Sequence, residues 1–336
     1  MTFSKVIDMT TLKKEARYQS LDNILEKHYH YLVYQIISLY AFTNEQREVV
    51  IMAAAKPDYK RFGFIPQRQQ GLLLMRLRNQ AGDMTADGLR NLADLAEKYG
   101  NGQVHLTLRQ GIEIPGVKEE LFEQALQAIS ESGLSPAVCG LRVRPVVTCP
   151  GSATCPYGLI DTKTLAKTLD EQFVGRDLPA KTKFAISGCA NSCTKPQAHD
   201  VGFRGAAEPS LEQSLCVSCG ACVRRCPAKA MQLENKTLVI DYEKCLSCGV
   251  CMRLCPKKAL KTGKTGYHIF VGGKGGRYSN EGALLTKFIP EDHLTTYLDA
   301  ILQTYKELAT PGQRLSAVLA KEGIDLIMSK VNEKLN

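Results

Sequence analysis

Twelve of the thirteen cysteines fall into three groups, at spacings that suit metal–sulfur chemistry. Cys149-Pro-Gly-Ser-Ala-Thr-Cys155 is a C-x5-C pair, and Cys189-Ala-Asn-Ser-Cys193 is a C-x3-C pair. A thiolate is a metal ligand, and four of them from two loops can converge on one tetrahedral ion or on one cubane. Zinc knuckles usually use closer pairs. The looser pairs here, in loops rich in Gly, Ser, Pro and Thr, better suit a cluster held between loops. Farther on, C-x2-C-x2-C-x3-C-P occurs twice, 29 residues apart, as Cys216, Cys219, Cys222, Cys226 and as Cys245, Cys248, Cys251, Cys255. Cys139 stands outside every group and reads as a buried free thiol.

The duplicated run resembles the bacterial ferredoxins, in which the fourth cysteine of each copy ligates the other cluster. That pattern implies one 4Fe-4S cluster on Cys216, Cys219, Cys222 and Cys255, and a second on Cys245, Cys248, Cys251 and Cys226; zinc is the one competitor. Gly220 and Gly249 let the backbone wrap closely there. The C-x5-C pair, followed by Gly188-Cys189-x-Asn191-x-Cys193, resembles the signature of the sirohaem-dependent sulfite and nitrite reductases. This resemblance implies that Cys149, Cys155, Cys189 and Cys193 hold a third 4Fe-4S cluster and that Cys193 also bridges to the sirohaem iron.

Reducing sulfite to sulfide takes six electrons, with protons to carry the oxygens off as water, so a redox cofactor must do it. The protein's part is to hold a dianion against the iron, and fixed positive charge is the natural means. In the family two Arg and two Lys lie over the haem. By local motif they match Arg76 in Leu74-Met-Arg-Leu-Arg78, Arg144 before Cys149, and Lys181 and Lys183 before Gly188-Cys189. Arg78 and Arg142 are the neighbours a small misregistration would choose instead. Arg109 in Leu106-Thr-Leu-Arg-Gln110 resembles a position that pairs with sirohaem carboxylates, and Lys274 and Arg277, in the Gly-rich turn after Tyr267–Gly273, are further cations for the macrocycle. A Lys at 183 favours sulfite, because nitrite-reducing relatives often carry Asn there. The alternatives are nitrite reduction and an electron-transfer iron–sulfur protein without haem chemistry.

The chain has 43 basic and 34 acidic residues, a net charge of +9, and 44% hydrophobic residues. No zinc finger, basic arm or aromatic RNA-binding motif accompanies the charge, so nucleic acid is not the expected partner. Met1 to Thr11 has no apolar signal core, and Tyr31 to Phe42 is too short and too polar to span a membrane. The cysteines therefore point to metal in a reducing cytoplasm rather than to disulfides. Between residues 206 and 264 ten basic residues face five acidic ones, which suits docking of an acidic electron donor. No G-x-G-x-x-G follows a strand, so NADH is expected to be oxidised elsewhere. The whole layout resembles the catalytic chain of the anaerobic sulfite reductases, which implies an A–B–C complex with an iron–sulfur subunit and a flavin, NADH-oxidising subunit. Larger relatives seat the haem between two copies of the repeat; one copy here implies a homodimer with shared sites.

The elements must present these groups. The fold class expected is α+β, sirohaem sulfite/nitrite reductase-like. A helical arm at 1–45, with His28 and His30 as ordinary histidines, precedes a ferredoxin-like half-domain at 46–117. In it the apolar run Val49–Ala55 and the stretches Gly71–Arg78 and Gln103–Arg109 read as strands, around a helix capped by Thr85 with Leu89, Leu92, Ala93 and Ala96 on one face. The cluster and sirohaem domain follows at 118–205 and 265–336, opening with a helix through Leu121, Phe122, Ala125, Leu126 and Ile129 that Gly133 stops. It ends in helices with Leu294, Leu298, Ile301 and Leu302 inward. A bacterial-type ferredoxin domain is inserted at 206–264, a surface position that leaves the host core intact.

Overall fold

A computed structural model describes residues 57–335. The expected helical arm, its histidines and the apolar run Val49–Ala55 lie outside the described residues. The first sheet is built on β2 (Leu72–Arg78), with β1 (Phe64–Pro66) and β5 (Ser135–Pro136) on one edge; β4 (Ile112–Lys118) and then β3 (His105–Leu106) follow on the other. Strict alternation puts Leu73, Met75 and Leu77 into the core and turns Arg76 and Arg78 to the opposite face. Helices α1 (Ala86–Tyr99) and α2 (Phe122–Glu131) cover the apolar side. Thr85 caps α1 by accepting the Gly88 N–H at 3.0 Å. Phe122 of α2 meets Phe64 and Tyr59 edge-on, with centroids 4.9 and 4.8 Å apart.

Two details differ from what the sequence pattern predicts. The buried face of α1 is Leu92, Leu95, Ala96 and Tyr99, while Leu89 is 55% exposed. The strand expected at Gln103–Arg109 is only two residues long. Leu106 and Leu108 point to solvent, and the chain folds into a tight turn in which Gln110 takes φ +58° and the Gly111 N–H donates to Thr107 Oγ1 at 3.0 Å. The long strand is instead β4, whose Ile112, Ile114 and Val117 reach the core. Alternation alone did not say which of two adjacent apolar runs had a core behind it.

The second sheet has five strands. β6 (Val147–Thr148), β7 (Phe184–Ser187) and β8 (Val201–Leu211) run parallel; β11 (Leu260–Val271) and β12 (Ala283–Ile289) complete it antiparallel. Helix α3 (Thr162–Phe173), capped by the Asp161 carboxylate, packs on this sheet through Leu165, Ala166, Leu169 and Phe173. The segment 212–259 leaves from the end of the β8/β11 ladder, where Leu211 pairs with Leu260. It holds two five-residue helices, α4 (Ala221–Arg225) and α5 (Val250–Leu254), and the hairpin β9 (Met231–Glu234) and β10 (Thr237–Ile240). Its own small core joins Met231, Leu238 and Cys251 to Leu260. Helices α6 (Leu294–Leu308), α7 (Leu315–Glu322) and α8 (Ile324–Leu335) close the chain. Leu294, Leu298, Ile301 and Leu302 of α6 are buried.

Candidate functional site: a cationic cleft and three cysteine quartets

Five bases from four segments line one cleft of about 450 Å³: Arg76 on β2, Arg109 in the 107–111 turn, Arg144 before β6, and Lys181 and Lys183 before β7. A neighbouring hollow of about 440 Å³ shares Arg76, Arg144 and Lys181 and adds Arg314 and Cys139. Arg78 and Arg142 turn elsewhere. Arg78 pairs with the buried Asp170 at 2.8 Å, and Arg142 with Asp177 at 2.8 Å. The period of β2 and the short strand-like path after Arg142 thus separate the two members of each pair.

The cleft holds more positive charge than its own carboxylates answer. Glu113 takes Arg76 by Nε at 2.8 Å and by Nη2, while Arg76 Nη1 points at the Cys139 sulfur, 3.6 Å away. Arg144 is fixed by the carbonyls of Val138 and Gly140 at 3.1 and 3.0 Å, yet its Nε is buried without a partner. Arg109 donates Nη2 to Pro145 O at 2.8 Å, and its Nη1 is likewise buried and unpaired. Burial lowers the Arg109 pKa to about 10, with Arg144 and Arg314 adding to the effect against the pull of Asp200. Burial, then Arg109, Lys181 and Arg314, lower Lys183 to about 8. Two orphaned guanidinium donors and an ammonium under pressure to lose its proton are what an anion would relieve.

Beneath the cleft lies a residue that no motif announced. Asp200 is fully buried and grips Arg314 through both oxygens, at 3.0 Å from Nε and 2.6 Å from Nη2. Its Oδ2 also accepts the Lys183 backbone N–H at 2.8 Å, so the same carboxylate places the lysine. Burial pushes the Asp200 carboxyl up, and Arg314 and the Lys183 N–H pull it back. His199 beside it is held neutral, its pKa lowered to about 4 by burial and by Arg109, Lys183 and Arg314. A single Asp before a strand of Gly and Ala carries no sequence signal.

The first cysteine quartet sits where β6 and β7 end side by side. Cys149 follows β6, Cys189 follows β7, and the Gly188 N–H donates to the Cys149 sulfur at 3.1 Å. Burial raises the Cys189 thiol pKa, and Cys149, Cys193 and Cys155 add to the rise, so each of those three sulfurs lies within electrostatic reach of Cys189. Thr194 ties the loop after Cys193 back to β7 through Ser187 Oγ at 2.7 Å and Ile186 O at 2.9 Å. Close backbone contact makes this possible: a Cβ on Gly205 of β8 would fall 2.6 Å from Gly188 O, and one on Gly202 only 2.1 Å from Pro196 O. Cys193 itself is exposed. Lys274 and Arg277 are not brought to the cation cleft. They lie in the turn after β11, which is hung on the loop beyond Cys193 by Gly272 N–H to Asp200 O at 2.8 Å and Gly282 N–H to Gln197 O at 2.7 Å. Lys274 is half-buried there and Arg277 exposed.

The other two quartets line two separate hollows. One is walled by Cys216, Cys219, Cys222 and Cys255, the other by Cys226, Cys245, Cys248 and Cys251. The fourth cysteine of each repeat has therefore crossed to the other set. Gly220 and Gly249, each at φ +70°, open α4 and α5 at equivalent places. Backbone N–H groups already aim at sulfur, from Ala230 to Cys226 at 3.3 Å and from Ala259 to Cys255 at 3.2 Å. Among the described residues no group of three or more His, Cys, Asp or Glu closes on the point of a single ion.

Comparison with known proteins fits this geometry. The chain belongs to the nitrite and sulphite reductase 4Fe-4S domain family, which matches residues 139–336, and the nitrite/sulfite reductase ferredoxin-like half domain matches residues 65–132. It is similar to a coenzyme F420-dependent sulfite reductase of Methanocaldococcus jannaschii, 36% identical over 81% of this chain and 44% of that protein. It is also similar to one subunit of the anaerobic sulfite reductase of Salmonella typhimurium, 29% identical over 54% of this chain and 56% of that one. The chain thus spans about half the length of these relatives. In fold it matches a dissimilatory sulfite reductase I, with TM-score 0.65 and 22% identity over 78% of this chain and 69% of that one.

Proposed function

We propose that the chain is the catalytic subunit of a sirohaem-dependent sulfite reductase. The observation that carries this reading is the cleft of five bases with two unpaired guanidinium donors, three of the bases leading into β6 and β7, the two strands whose far ends lead to the first cysteine quartet. Cys149, Cys155, Cys189 and Cys193 would hold a 4Fe-4S cluster, with Cys193, the exposed member, bridging to sirohaem. When bound, the coupled pair supplies an iron that takes sulfur and an electron store in contact with it.

The side chains do the rest. Arg76 and Arg144, pinned by Glu113 and by two carbonyls, hold fixed positive charge toward a small dianion. Lys181 adds a point charge. Lys183, with its pKa lowered to about 8, holds a proton that it gives up readily to an oxygen leaving as water. Arg109 stands at the cleft wall, where a macrocycle carboxylate would answer its free Nη1. Lys274 and Arg277, on a separate turn, would serve the same macrocycle from the Cys193 side.

In this reading the segment 206–264 is an inserted ferredoxin domain with two further 4Fe-4S clusters, fed by an iron–sulfur subunit and a flavin, NADH-oxidising subunit. A homodimer would complete the haem site from a second copy. The test is the visible spectrum of anaerobically purified protein, titrated with sulfite and with nitrite. A sirohaem band shifted at lower sulfite than nitrite concentration supports the proposal; cluster absorption without a sirohaem band overturns it, and a preference for nitrite replaces it with the nitrite reading.

A further inference from the structure

The two hollows of the segment 206–264 occupy different places in the fold. The one walled by Cys226, Cys245, Cys248 and Cys251 is seated on the main domain. Ala207 of β8 forms a bridge with Cys248, and its N–H donates to Ser247 O at 2.8 Å. Gly249 packs against Leu159, and the Arg253 guanidinium lies 5.0 Å over the Tyr157 ring. Tyr157 and Leu159 belong to the loop that leaves Cys155, and the Leu159 N–H reaches Gly188 O at 2.9 Å. Gly188 in turn donates to the Cys149 sulfur. One packed loop separates Cys248 from the first quartet.

The hollow of Cys216, Cys219, Cys222 and Cys255 is lined only by residues between 215 and 260. Cys219 is exposed, whereas Cys251 of the other set is buried. Leu215, Val217 and Leu233 stand exposed around it. Its rim is basic: Arg224 donates to Cys219 O at 3.1 Å, Ser218 donates to the Lys236 carbonyl, and Lys257 lines the opening. The nearby carboxylates are engaged, Glu212 by Lys261 and Glu234 by Gln232.

We infer that electrons enter at the outer quartet (Cys216, Cys219, Cys222, Cys255), whose apolar and basic rim docks an acidic one-electron carrier protein, and pass inward through the quartet of Cys248 to that of Cys149. Each encounter oxidises the carrier by one electron and reduces the outer centre by one; no proton or group moves. The inference rests on the iron–sulfur part of the proposed function and fixes a direction that the charge of the segment alone does not. A carrier docked there meets bases at the rim and apolar side chains at the centre, the arrangement that steers encounter and then excludes water.

The test mixes the cluster-loaded chain with flavodoxin hydroquinone in a stopped-flow instrument, following appearance of the flavin semiquinone. Arg224→Glu with Lys257→Glu reverses the outer rim. Lys229→Glu with Lys244→Glu makes the same charge change beside the inner quartet. The outer pair is expected to slow reduction about tenfold at low salt and flatten its salt dependence, with the inner pair changing it less than about twofold. Reduction by dithionite, which needs no docking, stays equal in the unchanged chain and both double variants. Hydrogen exchange with oxidised flavodoxin present should protect residues 215–220 and 233–238 and leave 243–248 unchanged. Equal slowing by both pairs, no slowing by the outer pair, or protection at 243–248 would overturn the inference. Neither readout uses sulfite, so normal reduction without sulfite turnover would refute the proposed function and leave this one standing.

Discussion

Lys183 carries two roles that pull against each other. It must be charged to help hold an anion and willing to lose its proton when an oxygen leaves. Burial and three neighbouring cations set its pKa at about 8, so it is mostly protonated at neutral pH and loses its charge as pH rises through that value. Turnover should therefore fall above about pH 8, and Lys183→Arg, whose charge persists, should bind sulfite without that alkaline loss but turn over at least tenfold more slowly. The ionisation of sulfite is common to both proteins, so the difference between their pH profiles isolates the lysine. Asp200 works at one remove. Arg314→Ala leaves the fully buried Asp200 carboxylate without its cation and should cost roughly 3–5 kcal/mol in urea unfolding; Asp200→Ala frees the Lys183 backbone but orphans a guanidinium that is 19% exposed, and should cost less. Cysteines and motif-borne bases were legible because their spacing or flanking residues repeat a pattern. Asp200, Glu113 and Arg314 were not, because each matters only through a partner distant in the chain.

Elements were legible where one local rule sufficed. β2 alternates over seven residues, and α1 has a Thr cap and a closing Gly, so both stand where periodicity places them. β8 escaped notice because Val-Gly-Phe-Arg-Gly-Ala-Ala-Glu-Pro-Ser-Leu has only Val201 and Phe203 of the branched and aromatic residues that fill an ordinary central strand. Its glycines answer to tertiary contact: the strand must pass close to Pro196 and Gly188 to hold the cysteine loops in place. Gly202→Ala should therefore push β8 from the loop after Cys193 and reduce iron and acid-labile sulfide bound at the first quartet, while the two quartets of the 206–264 segment keep theirs. Metal and sulfide analysis with EPR of each reduced preparation distinguishes the losses. Helix α2 shows the same principle from the other side. Its apolar face was plain in the sequence, but only the packed structure shows that Phe122, Ala125 and Ile129 share a core with β2 and β4.

At the scale of the molecule, the first sheet supplies Arg76 and the Arg109 turn, and the second supplies Arg144, both lysines and the first quartet. The cationic cleft therefore depends on both sheets being held together, and indirectly on the connection before α7, from which Arg314 lines the neighbouring hollow and holds Asp200 beneath Lys183. One copy of the repeat carries both the bases and the cysteines. If the haem site is shared between copies, sedimentation of the sirohaem-loaded protein should show a dimer; a monomer with full sirohaem would end that proposal. At the centre of the proposed chemistry, one thiolate serves two cofactors. Its most direct measurement is the tetrapyrrole content, EPR spectrum and sulfite turnover of Cys193→Ser beside the unchanged chain, both prepared without oxygen. The expected result is a protein that loses the magnetic coupling between haem and cluster and nearly all turnover. A Cys193→Ser protein that keeps its macrocycle and its full rate would contradict that shared role.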